Sequence, residues 1–259
     1  MTINIVQKKI VTLLVLVITY CTNAQQKDVF LLIGQSNMAG RGDFETPMDS
    51  TAIANVFLLN DKGEFEIAKN PLNRYSTIRK VCEPELQGVG LGSSFAREMV
   101  CFLKDSVYLI VNARGGTPVQ KFIKGKDDGY YETILNRTSN ALQANKNLRL
   151  RAILWHQGES NASNTKDYLR HLNLMIESFR KDLNMPELPF IVGELGEWNG
   201  SYYNVRDKIK QIPERIENSY LVSSQGLKNR DEHHFDTASY NEFGKRYAEI
   251  CQKVIYTKK

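Results

Sequence analysis

The sequence predicts an α/β fold in which helices cover both faces of a mainly parallel β-sheet. Short apolar runs, such as residues 29–33 and 151–155, end abruptly at a glycine or in a polar loop, which is typical of strands buried on both faces. Longer segments between these runs carry apolar residues at helical spacing. Because strands and helices alternate, we expect βαβ units in a single domain that runs from residue 25 to residue 259.

The order of the predicted elements follows this alternation. Strands are expected at residues 29–33, 54–59, 64–68, 106–111, 151–155, 188–192 and 220–223, the third being the return strand of a small hairpin. Helices are expected at residues 93–103, 130–144, 167–183, 205–216 and 237–256. Pro213 interrupts or ends the fourth helix, and Asp236 can cap the last one. In the first helix, Phe95, Met99 and Phe102 share one face.

Residues 1–24 have the features of a cleaved secretory signal peptide. Lys8 and Lys9 precede the apolar run 10–18, and small residues at positions 22 and 24 form a cleavage site. The run is too short to span a bilayer comfortably, and no later stretch is long enough to do so. We therefore expect a secreted or periplasmic protein with no membrane span after signal cleavage.

Charge and cysteine content exclude several classes of protein. Loss of two lysines and no acid with the signal peptide lowers the formal net charge from +5 to +3, and the basic residues are dispersed, so nucleic acid is not an expected partner. The remaining Cys82, Cys101 and Cys251 allow at most one disulfide, and Cys101 is expected in the core. No Cys/His spacing indicates zinc, and we expect no metal and no cofactor.

Ser36 is the leading candidate for a nucleophile. It follows the strand 29–33 and Gly34, and would lie beyond the carboxyl end of a central strand, where open α/β sheets keep their active sites. A serine nucleophile needs a base with an orienting carboxylate, and Asp231 and His234 have a spacing that puts both side chains on one face of a turn. The alternatives are that Ser36 and Asp231 cap helices and that His234 is a surface residue. His156, at another strand end, is a weaker candidate for a residue that lines the site.

Acyl transfer also needs hydrogen-bond donors for a developing oxyanion. The candidates are the Ser36 N–H, a glycine N–H from Gly90 or Gly92, and the side-chain amide of Gln157. The glycines precede a helix and could equally bind another anion, although no Gly-Lys-Ser/Thr follows them, which argues against a nucleotide site.

Four blocks, in this order, resemble those of the SGNH hydrolase superfamily. They are Gly-Gln-Ser-Asn-Met-Ala-Gly at 34–40, Gly-Leu-Gly-Ser-Ser-Phe-Ala at 90–96, Trp-His-Gln-Gly-Glu-Ser at 155–160, and Asp-x-x-His-Phe at 231–235. The resemblance spans the mature chain and is closest to the sialate O-acetylesterase and acetylxylan esterase branch, carbohydrate esterase family 6. It implies a three-layer α/β/α flavodoxin-like fold around a central parallel sheet, and no metal. It further implies Ser36 as nucleophile, His234 as base, Asp231 as its partner, and an oxyanion hole of Ser36, Gly92 and Gln157.

One departure from a commoner hydrolase pattern is informative. Met38 stands where a Gly-x-Ser-x-Gly motif would have its second glycine, which argues against an α/β-hydrolase elbow. The choice between Gly90 and Gly92 stays open. Asn37, Arg114 and Glu159 are further candidates for substrate binding, and Glu159 could instead hold local loops through Arg114.

These features predict a secreted serine esterase that removes O-acetyl groups from carbohydrates. An acetylated oligo- or polysaccharide of plant origin, such as xylan, is the first expectation for the substrate. A sialate 9-O-acetylesterase is the alternative, with Arg114 or Arg41 supplying a cation for the sialate carboxylate. A non-catalytic carbohydrate-binding protein on an esterase fold is an alternative of another class. The sequence leaves the oligomeric state open.

Overall fold

A computed structural model describes residues 26–79 and 87–257 of the chain. They form a seven-stranded sheet with the strand order 3-2-4-1-5-6-7, in which every neighbouring pair is parallel except the second and third strands. The predicted fold, with its one antiparallel hairpin, is confirmed. The strands are β1 (Lys27–Gly34), β2 (Val56–Leu59), β3 (Phe65–Ile67), β4 (Val107–Ala113), β5 (Leu148–His156), β6 (Phe190–Gly193) and β7 (Ser219–Val222).

Helices follow the strands in the expected alternation. They are α1 (Ser36–Ala39), α2 (Pro47–Ser50), α3 (Leu91–Leu103), α4 (Tyr130–Ala144), α5 (Tyr168–Asp182), α6 (Tyr203–Lys210), α7 (Ile212–Arg215) and α8 (Thr237–Cys251). Single 3-10 turns lie at Leu72–Tyr75, Val119–Phe122, Glu159–Asn161 and Gly200–Tyr202, and a π-helical turn, Gln252–Tyr256, follows α8. Asp236 caps α8 by accepting a hydrogen bond from the N–H of Ser239 at 2.7 Å, as predicted.

The central strand β1 divides its side chains between two cores. Leu31 and Ile33 pack with the buried faces of α4, α5 and α6, whereas Phe30 and Leu32 pack with α3 and α8. All four side chains are fully buried, which explains why the strand reads as a continuous apolar run. The alternating direction of side chains in a strand therefore produces the three-layer arrangement.

In-register pairing brings three strand ends to one point. Gly34 at the end of β1 pairs with Ala113 of β4 on one side and with His156 of β5 on the other. Gly34 has a φ of +146°, and a Cβ there would lie 2.2 Å from the carbonyl oxygen of His156, so this position requires glycine. The loops that follow β1, β4 and β5 therefore emerge side by side.

Two local expectations are wrong. Cys101 is exposed, because it lies two residues beyond buried Met99 and therefore about 200° around the helix axis from it. Phe102 is 42% exposed and packs edge-on against Tyr256 rather than in the core. The helix expected at 205–216 is interrupted, as Pro213 indicated, and forms two helices, with Pro213 in the first turn of α7, where its missing N–H costs no hydrogen bond.

Two predictions fall outside the described residues, namely the signal peptide at 1–24 and any role of Cys82. Within the described ranges, no helix combines the length and the apolar character needed to cross a bilayer.

Candidate active site

A serine, a histidine and an aspartate form a hydrogen-bonded chain at the carboxyl edge of the sheet. Ser36 is the first residue of α1, and its Oγ lies 3.0 Å from Nε2 of His234. The other ring nitrogen of His234, Nδ1, lies 2.9 Å from Oδ2 of Asp231. Because an ionised carboxylate can only accept, Nδ1 carries the proton and Nε2 is left to accept one from the serine hydroxyl. The structure thus brings together the three residues expected to act together.

Asp231 is held by the backbone of the loop that carries the histidine. Its Oδ1 accepts hydrogen bonds from the N–H groups of His233, at 2.8 Å, and His234, at 2.9 Å. Burial alone would raise the pKa of Asp231, but the hydrogen bonds from the His234 ring and from both N–H groups outweigh it and hold this pKa below its ordinary value. The carboxylate therefore stays ionised and keeps the imidazole in one orientation.

An open cavity of about 390 Å³ lies over the Ser36 hydroxyl. Most of its lining residues are polar or charged, and none of them carries a long aliphatic side chain. The lining residues are Gln35, Ser36, Arg41, Gly115, Gly116, Glu159, Ser160, Tyr202, His233 and His234. Such a lining suits a compact ligand with many hydroxyl groups rather than a long acyl chain.

The glycine beside Ser36 is Gly115, in the loop after β4, and not Gly92. A Cβ on Gly115 would lie 3.7 Å from the Ser36 Cβ, and Gly115 lines the cavity. A Cβ on Gly92 would instead meet the side chains of Leu32 and Leu72, at 2.7 and 3.0 Å, in the core beneath α3. Gly92 is needed for close helix packing and is not among the residues that line the cavity, so its place in the oxyanion hole stays a prediction.

Gln157 is also not placed as an oxyanion donor. Its side chain is fully buried, and its amide nitrogen donates to Oδ1 of Asn161 at 2.8 Å and to the carbonyl of Thr117 at 3.1 Å, with Oε1 of Gln35 at 3.3 Å. Gln35, which lines the cavity, stands between Gln157 and the ligand space. The amide of Gln157 therefore fixes the cavity wall from behind.

Asn37 connects the segment of the serine with the loop of the histidine. Its Nδ2 donates to the carbonyl of His233 at 3.0 Å, and its Oδ1 lies 3.4 Å from the N–H of Phe235. The hydroxyl of Tyr240 also donates to Oδ1, at 2.6 Å. Asn37 thus holds the backbone on both sides of His234. Because it is 1% exposed, the prediction that it binds substrate is wrong.

Glu159 lines the cavity and orients Asn37. Its Oε1 accepts a hydrogen bond from Nδ2 of Asn37 and lies 3.6 Å from Nε2 of the fully buried His156. Burial would raise the pKa of Glu159, but the nearby His156 ring and the Asn37 amide bring it below its ordinary value. His156 packs edge-on against Phe235 and Phe243 and does not line the cavity.

Of the two arginines considered, Arg41 lines the cavity and Arg114 does not. Arg114 donates to the carbonyl of Ile78 at 2.7 Å and stacks on the Tyr130 ring, so its expected contacts with substrate and with Glu159 are wrong. The side chain of Arg41 extends toward Ser36. A Cβ on Gly115, the glycine beside Ser36, would lie 2.9 Å from Nη2 of Arg41.

The sequence marks residues 114–116 as a loop at a strand end that should converge with the Ser36 loop, but it does not indicate that Gly115 is the glycine beside Ser36. Sequence reasoning missed two further residues of the cavity. Tyr202 and His233, whose hydroxyl and Nδ1 are hydrogen-bonded, carry no comparable signal. Within residues 26–79 and 87–257, no group of three or more His, Cys, Asp or Glu side chains is placed to hold a metal ion.

The fold, with a cavity at the carboxyl edge of its parallel sheet, is that of the SGNH-like esterases. Residues 26–253 match the family described as carbohydrate esterase, sialic acid-specific acetylesterase. The chain therefore belongs to this family of carbohydrate esterases, and an activity of the carbohydrate acetylesterase type follows from that membership.

Individual relatives agree with this assignment. An Arabidopsis thaliana protein named as a probable carbohydrate esterase is 30% identical over 218 residues, which cover 77% of this chain and 80% of that protein. Its X-ray structure superposes with a TM-score of 0.78 at 26% identity, covering 89% of this chain and 99% of the other. NanS superposes with a TM-score of 0.68 at 17% identity, with 88% and 98% of the two chains covered, and shows the same fold.

We expect Asn37→Ala to slow turnover of a small acetyl ester by roughly 100-fold, because a shift of about 1 Å in the reacting groups can cost that much. The KM for the ester should change little, because Asn37 does not contact the cavity. Steady-state kinetics on ethyl acetate measure both parameters. Asn70→Ala is a matched control, because Asn70 is also buried and donates to a backbone carbonyl, that of Asp49, away from the site. Equal losses of turnover in both variants would contradict the role of Asn37.

We expect Glu159→Gln to cost about 1.5–3 kcal/mol of unfolding free energy at pH 7, the usual contribution of buried hydrogen bonds to a charged group. Because the folded-state pKa is depressed, this stabilisation is present above the unfolded-state pKa of about 4.3 and is lost as the pH falls through the folded-state pKa. The difference between variant and wild type should therefore shrink in acid.

Urea unfolding at a series of pH values measures this difference. Glu249→Gln, at an exposed position of α8, is the control and should stay within about 0.5 kcal/mol of wild type. If Glu159→Gln lowers the unfolding free energy by the same amount at every pH, the charge of the carboxylate does not contribute to stability.

Proposed function

We propose that this protein is a secreted carbohydrate O-acetylesterase that acts through a covalent acetyl-serine. The observation that carries the proposal is the hydrogen-bonded order Ser36, His234, Asp231, of which Ser36 and His234 line an open cavity. The predicted roles of these residues fit that geometry, and membership of a carbohydrate esterase family supports the class of substrate. Secretion rests on the predicted signal peptide at residues 1–24.

The first half of the reaction transfers the acetyl group to the enzyme. Nε2 of His234 takes the hydroxyl proton of Ser36 as Oγ bonds to the acetyl carbonyl carbon, and the carbonyl electrons move onto oxygen. The N–H of Ser36, which as the first N–H of a helix has no partner within it, and the N–H of Gly115 are the donors that we assign to this oxyanion. Collapse breaks the bond to the sugar oxygen, which receives the proton from His234.

The second half releases acetate. A water molecule gives a proton to His234 as the water oxygen bonds to the acetyl carbon, and a second oxyanion forms at the same place. The bond between Oγ of Ser36 and the acetyl carbon then breaks, and Oγ receives the proton back from His234. Asp231 stabilises the imidazolium in both halves without being protonated itself.

Two classes of sugar are candidates for the substrate. Acetylated plant polysaccharide such as xylan is the first, because the cavity is open and could admit a residue within a polymer. The position of Arg41 favours the second, a sialate with a 9-O-acetyl group, because a guanidinium beside Ser36 can pair with the sugar carboxylate. The more specific assignment to carbohydrate esterase family 6 is part of this proposal.

Ser36→Ala should lower acetate release from ethyl acetate and from acetylated xylan by at least about 10⁴-fold, as loss of a triad nucleophile does. Binding of acetylated xylo-oligosaccharide, measured by calorimetry, should persist. Ser94→Ala is the control, because Ser94 is equally buried but bonds to the carbonyl of Leu91 outside the cavity. Full activity of Ser36→Ala would refute the mechanism, and an inactive wild type that still binds the sugar would favour a non-catalytic binding protein.

The substrate is decided by acetate release from acetylated xylan and from 9-O-acetylsialic acid under the same conditions. We expect the higher kcat/KM on xylan, and we expect Arg41→Gln to leave it within about twofold, because a neutral sugar offers no carboxylate to this cation. The reverse preference, with a loss of roughly tenfold or more in Arg41→Gln confined to the sialate, would establish the second candidate, since a charged hydrogen bond contributes about 1.5–3 kcal/mol.

A further inference from the structure

A second cavity, of about 330 Å³, lies next to the one over Ser36. It shares Arg41 and His234 with that first cavity, and its other lining residues are Gly42, Asp43, Phe44, Gln87, Gly88, Arg230 and Asp231. The imidazole that faces the reacting serine therefore also borders this second space. None of the roles assigned above uses Phe44, Asp43 or Arg230.

The wall of this cavity is a firmly attached loop. Gly42 exchanges two backbone hydrogen bonds with Val89, both of 2.9 Å. The carbonyl of Asp43 accepts from Oγ1 of Thr237 at 3.0 Å, and its Oδ1 pairs with Nη2 of Arg230 at 2.8 Å. The loop is thus tied to three other segments, and the side chains that it presents have defined positions.

Phe44 is exposed on this attached loop. Its side chain is 45% exposed, although the two residues before it, Gly42 and Asp43, have the backbone contacts described above. A single exposed aromatic ring is unremarkable on a protein surface, but here it stands in a concave site among a guanidinium and carboxylates. An apolar ring face beside groups that bind hydroxyls is the combination that a pyranose needs, since the sugar has an apolar C–H face and a polar rim.

The direction of the reaction places a sugar at this side of the site. His234 must give its proton to the sugar oxygen as the acetyl group is transferred, so the sugar lies against the imidazole. A chain that continues from that sugar past His234 enters the second cavity.

We propose that the second cavity binds the sugar residue next to the acetylated one, with Phe44 under its C–H face and Arg230 and Asp43 on its hydroxyls. This inference rests on the proposed function, and it makes the substrate an oligosaccharide or polysaccharide rather than a single sugar. Wild type then has a higher kcat/KM on acetylated xylotetraose than on acetylated methyl xyloside.

The test is Phe44→Ala on those two probes and on ethyl acetate. Ethyl acetate is too small to reach the second cavity while its acetyl group lies at Ser36. We expect kcat/KM on the tetraose to fall roughly tenfold, as the loss of an aromatic contact predicts, and the values for the other two probes to stay within about twofold. Phe44→Trp keeps an aromatic face and should keep the preference for the tetraose. Phe102→Ala, which removes an equally exposed phenylalanine near Tyr256, should match wild type on all three.

Two results would overturn the inference, namely equal wild-type kcat/KM on the one-sugar and four-sugar probes, or a preference that survives in Phe44→Ala. If the enzyme acts on sialates instead, 9-O-acetylsialic acid and 9-O-acetylated sialyllactose replace the two xylose probes, with the same expectations. Failure of the proposed function is a separate result, because wild type would then not hydrolyse even ethyl acetate.

Discussion

The arrangement of the site depends on how Asn37 holds two distant segments together. Ser36 and His234 are 198 positions apart in the chain, and their side chains meet only because the backbone around His234 is fixed relative to α1. Asn37 does this from the position next to the serine. The nitrogen of its side-chain amide donates to the carbonyl of His233, and the oxygen accepts from the N–H of Phe235. A buried amide with all its groups satisfied can be rigid where a loop alone would not be.

A buried charge is part of the same arrangement. The side chain of Glu159 is only 7% exposed in the wall of the cavity, and such a loss of hydration is costly for a carboxylate unless other groups bind it. The amide of Asn37 and the ring of His156 supply that compensation. The benefit is directional, because an anion at Oε1 leaves the Asn37 amide only one orientation, with nitrogen toward Glu159 and oxygen toward the N–H of Phe235.

The fold, and the meeting of Ser36, Asp231 and His234 at one place, could be predicted from the sequence because both leave local patterns. Buried parallel strands read as apolar runs, and Ser36, Asp231 and His234 lie in short blocks with recognisable spacing. The surroundings of the serine could not be predicted in the same way. Gly92 and Gly115 both belong to glycine pairs near an element end, and only the three-dimensional packing shows that one contacts Leu32 while the other faces Ser36. Arg41 and Arg114 differ likewise in side-chain direction, which no spacing reveals.

The loop that carries Asp231 and His234 lies between β7 and α8, and α8 packs so closely on α3 that a Cβ at Gly244 would lie 2.1 Å from the carbonyl oxygen of Leu91. Synthesis through β7 has therefore produced Ser36 but not His234, the base that we propose for it. Packing of α8 against the much earlier α3, a contact of high sequence separation, holds the loop with His234 at the site. A chain interrupted before His234 would carry Ser36 without the base proposed to activate it.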